Sequence, residues 1–105
     1  MLFRSILAQR SEEMKRLFLT TLTDSDANVR YMAVEIISEM EPPFADWAFL
    51  LLPMFRDSDH FIRVKAVHAV GCPSAPTEEV LTALRLARKD EMWRVRLAAK
   101  QVMEK

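Results

Sequence analysis

The sequence predicts an all-α fold made of a two-helix unit used three times, and three observations carry that prediction. One glycine among 105 residues argues against a sheet-rich chain, because sheets need glycine at many turns. The length suits a single domain spanning residues 1–105, and the 50% of apolar residues is enough to bury a core. Compared with itself, the chain repeats every 33 residues. Asp24, Asp57 and Asp90 fall in register, each followed six residues later by Arg30, Arg63 and Arg96. Val29, Ile62 and Val95 precede those arginines; Ala33, Ala66 and Ala99 follow, and then Ile37, Val70 and Met103.

The phase assigns the elements in order. Residues 1–10 are too few for a unit, and Phe3 aligns with Ile36, so this stretch reads as an N-terminal cap helix over the end of the stack. Repeats then occupy 11–41, 42–74 and 75–105. The first helices are expected at about 11–22, 43–56 and 77–88 from apolar residues at helical spacing, such as Met14, Leu17, Phe18 and Leu22. Ser11 and Thr77 suit N-caps, with paired glutamates in the turn that follows. Pro42 and Pro43 mark the second start, and Pro53 should kink that helix near its end. The second helices are expected at about 26–40, 59–71 and 91–104, after turns rich in Asp and Ser. Gly71-Cys72-Pro73 reads as a stop, with glycine free to turn left-handed.

The segments Asp24 to Ala33, Asp57 to Ala66 and Asp90 to Ala99 resemble HEAT repeats, including the short HEAT-like units of the phycobilisome-lyase type. The resemblance covers residues 11–105, and the third unit departs from it with Met92 and Trp93 in place of Asp59 and His60. Ankyrin and tetratricopeptide motifs are absent. The resemblance implies a short right-handed α-solenoid whose second helices line a concave side that binds other macromolecules. It also implies that Asp24, Arg30, Asp57, Arg63, Asp90 and Arg96 form a structural ladder between units, a role that suits the arginine fork. The other reading of those arginines is a stripe that takes acidic groups.

Catalytic constellations are missing. His60 and His68 lie eight residues apart on one helix, roughly 12 Å, too far to share a zinc ion. Cys72 has no Cys-x-x-Cys partner and reads as a packing residue, and one glycine cannot build a phosphate loop. No enzyme activity, cofactor or metal is expected.

Laid out at 100° per residue, the first of the second helices puts Val29, Ala33, Ile36, Ile37 and Met40 on one face, read as core. The opposite face and its equivalents carry Tyr31, Val34, His60, Val64, Val67, Trp93, Leu97 and Lys100, with Glu35 at the rim. Exposed helix backs are usually charged, so this apolar stripe predicts a groove for a partner protein. Homodimerisation through the stripe, or cover by the N-terminal segment, are the alternatives.

Lys plus Arg equals Asp plus Glu at 15 each, so no bulk charge attracts a polyanion. Charge is nevertheless uneven. Six acids stand against Arg56 in residues 35–59, a local −5, and seven cations against three acids in 85–105, a local +4. Opposite ends of two copies would attract. A DNA-binding or repair-type module using the basic C-terminal unit is the rival reading, disfavoured by the apolar groove rows. An accessory role like that of HEAT-like chromophore lyases is a further one. No stretch approaches the roughly 20 apolar residues of a membrane helix, and no signal peptide is legible. A cytoplasmic interaction module is expected.

Overall fold

A computed structural model describes residues 2–39, 44–71 and 77–104, with side chains at 12–39, 50–71 and 77–104. Helix α1 spans Leu2–Leu22 and α2 Ala27–Ser38; a 3-10 helix spans Phe44–Arg56; α3 spans His60–Val70, α4 Glu78–Ala87 and α5 Trp93–Met103. No strand occurs among the described residues. The extents are 48 × 32 × 18 Å, and the short dimension is that of two helix layers. One layer holds α1, the 3-10 helix and α4. The other holds α2, α3 and α5, with α3 central and packed on the 3-10 helix, α2 and α5.

Four local features differ from the sequence expectation. Residues 2–10 continue α1 without a break instead of forming a separate cap helix. No proline or glycine interrupts residues 2–22, so Ser11 lies within a helix and starts none. The segment with Pro53 is wound as a 3-10 helix along its whole length, where a kinked α-helix was expected. Proline excludes the bond to the carbonyl four residues back and crowds it. Gly71 ends α3 at φ −70°, an ordinary right-handed value. Its smallness is used for close approach, because a Cβ there would stand 2.6 Å from Val102 Cγ2.

The fourth difference concerns Ile36, expected in the core and found 48% exposed. The buried residues of α2 are Ala33, Val34 and Ile37. The expectations for Met40, Pro42, Pro43, Cys72 and Pro73 lie outside the described residues.

Thr77 caps α4 by accepting the Val80 N–H at 3.2 Å. The core runs through both layers, and Leu51, Ile62, Val34, Val67, Val70 and Val95 are its largest fully buried side chains.

Candidate interaction surface

The three turns share one construction. Asp24, Asp57 and Asp90 each turn Oδ1 onto the backbone N–H two residues ahead, at 2.8, 2.9 and 2.9 Å. That contact closes an aspartate turn and aims the chain into the second helix. The arginine six residues on reaches back. Nη1 of Arg30, Arg63 and Arg96 donates to the carbonyl oxygens of Asp24, Asp57 and Asp90 at 2.8, 2.7 and 2.7 Å.

Two of the arginines also reach forward to the next unit. Arg30 holds Asp57 with both prongs, Nε to Oδ2 at 2.8 Å and Nη2 to Oδ1 at 3.1 Å. Asp57 raises the Arg30 pKa, chiefly through this hydrogen bond, against the lowering effect of burial. Arg63 donates Nη2 to Asp90 Oδ1 at 3.2 Å. Its Nε stands 3.1 Å from Oδ2 but makes no hydrogen bond, so the second junction is the looser. Arg96 has no carboxylate partner among the described residues and gives its second bond to the Glu91 carbonyl at 3.0 Å.

The eight residues expected to line a groove do not share one surface. Val34 and Val67 are 0% exposed and belong to the core, which corrects their assignment to the groove. A second helix inside a stack is enclosed on three sides, by its own first helix and by both neighbouring second helices. Val34 is 100° round from Ala33 on the side that meets the following unit, so reading it as the solvent face was an error of rotation. Tyr31, His60 and Val64 are half-buried at the edge of the same junctions. Trp93, Leu97 and Lys100, on the third unit, are exposed.

The face that does meet solvent carries Asn28, Phe61 and Arg94 in one row and Glu35, His68 and Gln101 in another, all exposed except half-buried Glu35. Phe61 is 52% and Trp93 55% exposed. Arg94 joins them, its guanidinium carbon 5.8 Å from the Phe61 ring centre and 5.2 Å from that of Trp93. His60 lies against Phe61 with centroids 4.2 Å apart, and Lys65 Nζ stands 6.0 Å from the Tyr31 ring. These distances are within the reach of a cation over an aromatic face. The result is a patch of rings interleaved with cations across the starts of α3 and α5. Phe61 and Arg94 were missing from the sequence-derived site. The available signal was a phenylalanine in a row whose other members, Asn28 and Arg94, are polar.

A family model for HEAT repeats matches residues 9–104. The chain belongs to the HEAT-repeat family. No curated protein and no solved structure matches it. HEAT repeats are generally protein-interaction modules, and the family is typically non-enzymatic. In this HEAT-repeat stack an open groove of about 1190 Å³ lies on the other layer, between the 3-10 helix and α4. Leu52, Phe55 and Leu86 line it together with Glu78, Glu79 and Arg56, and none of the aromatic cluster reaches it. Among the described residues no group of three His, Cys, Asp or Glu side chains could hold a metal ion. No described helix is long and apolar enough to cross a membrane.

Proposed function

We propose that the stack binds a partner protein through its second-helix face, at the patch formed by Phe61, Trp93 and Arg94 and flanked by Tyr31 and Lys65. The observation that carries this reading is the pair of half-exposed aromatic rings joined by one guanidinium. Aromatic residues and arginine supply most binding hot spots, and an exposed ring has little role in the stack's own stability. Lys65 and Arg94 favour a segment that brings an apolar anchor together with carboxylates. The partner is held non-covalently, and no chemical step is involved.

Affinity capture from the native host with mass-spectrometric identification, run beside the Phe61→Ala, Trp93→Ala variant, tests the reading. Both rings are exposed, so the variant keeps its helical circular dichroism. A partner retained by the native chain and weakened tenfold or more, roughly 1.4 kcal/mol, by the variant is the expected result. Equal capture by the two chains would remove the patch as the docking site.

A further inference from the structure

The two ends of the stack are complementary to each other. Leu17, Met32 and Ile36 occupy repeat positions that in later units face the preceding unit. Leu50 and Ala98, at the positions of Leu17 and Met32, are buried. Val102, at that of Ile36, lies against Gly71, and Lys65, also at the Met32 position, reaches Tyr31. In the first unit the same face is bare, with Leu17 62%, Met32 60% and Ile36 48% exposed. Asp24 completes this end, and among the described residues no arginine pairs with its carboxylate.

The opposite end offers the other half of the junction. Arg96 stands where Arg30 and Arg63 grip the next unit's aspartate, and Leu97 stands where Tyr31 and Val64 are half-buried. Lys100 replaces buried Val34 and Val67, and Arg88 replaces buried Leu22 and Phe55. This end is therefore cationic around an exposed leucine.

We propose that a second copy of the chain docks end to end, its first unit on the last unit of its neighbour, with Arg96 of one copy paired to Asp24 of the next. Each internal junction joins an arginine to the aspartate 27 residues on. The same step from Arg96, less three 33-residue units, arrives at Asp24. The repeat operation also sets Leu97 beside Met32, as Tyr31 is set beside Lys65. Charge fixes the orientation. Two first-unit ends would leave each Asp24 without a cation from the last unit, and two last-unit ends would bring Arg88, Arg96 and Lys100 of both copies into one contact. The unlike pairing sets cations against the aspartate. Such a contact is heterologous, so it propagates and does not stop at two. Lys100 and Arg88 keep it more hydrated than an internal junction, which makes it reversible and sensitive to salt.

The charge reversals at Arg96 and Asp24 leave Phe61, Trp93 and Arg94 unchanged, so failure of this contact is distinguishable from failure of the partner-binding reading. Sedimentation velocity of the chain over a range of protein concentration and salt tests it. The expected result is a mean mass that climbs past twice the monomer with concentration and falls back with added salt. Arg96→Glu and Asp24→Arg should each give a monomer alone, and an equimolar mixture of the two should recover the association. Ile36→Lys, at an exposed position, should weaken it with no change in helicity, which keeps the test open should a charge reversal fail to fold. A constant monomer mass, or a dimer that charge reversal leaves unchanged, would overturn the proposal.

Discussion

Gly71 shows how one missing Cβ sets the spacing of two helices. Its backbone is one that alanine adopts freely, so the cost of Gly71→Ala comes from the 2.6 Å approach to Val102 alone. Valine is stiff and cannot swing aside, and overpacking of this kind costs about 1–3 kcal/mol. Chemical denaturation should show that loss for Gly71→Ala and a partial recovery when Val102→Ala is added. Simple additivity of the two changes would mean that they do not meet. The same reasoning separates Val67 from Leu97, both read from sequence as groove residues. Val67→Asp places an unpaired carboxylate in a fully buried site and should abolish the cooperative unfolding transition. Leu97→Asp, at a 43% exposed position, should leave it nearly unchanged.

At the scale of the helix, the starts of α2, α3 and α4 were legible in the sequence, while Ser11 was not a start. Asp26 and Asp59 accept the N–H groups of Asn28 and Phe61 at 2.8 Å, while Met92 caps α5 with no side-chain bond. Asp26→Ala and Asp59→Ala should each cost about 1 kcal/mol in denaturation, and Met92→Ala should show no capping loss. The 33-residue columns placed the turns, the buried alanines and the helix pairs because those depend on local chemistry repeated in register. The rotation of each second helix was harder to read. Periodicity reports an apolar arc, and it cannot distinguish burial against the helix's own partner from burial against the next unit. The winding of the Pro53 segment was likewise legible only as a disturbance. Arg30 gives the turn a charge that persists into alkali, since Asp57 raises its pKa and the stabilisation is lost only as pH climbs through that raised value. Arg30→Lys substitutes a group that titrates near about pH 10.4. Thermal melts of that variant should decline through the alkaline range where the native chain stays level.

Across the whole molecule, each unit among the described residues touches only its neighbours, and stability in such a stack is close to a sum of unit and junction contributions. The junction between the second and third units consists of α3 packed against α5, α4 packed against the 3-10 helix and α3, and the Arg63–Asp90 pair, the looser of the two ladder contacts. Arg63 is buried, so Arg63→Met removes the bonds to Asp90 and to the Asp57 carbonyl while keeping the stem's packing. Stranding those partners should cost about 2–4 kcal/mol. The loss should not be shared evenly. Helices α4 and α5 reach the rest of the chain through this junction, so in hydrogen exchange their amides should lose protection first, with α1 to α3 closer to native rates. Simultaneous loss in all helices would show instead that the three units fold as one cooperative block. In that case the ladder would couple the whole stack and would not merely join adjacent pairs.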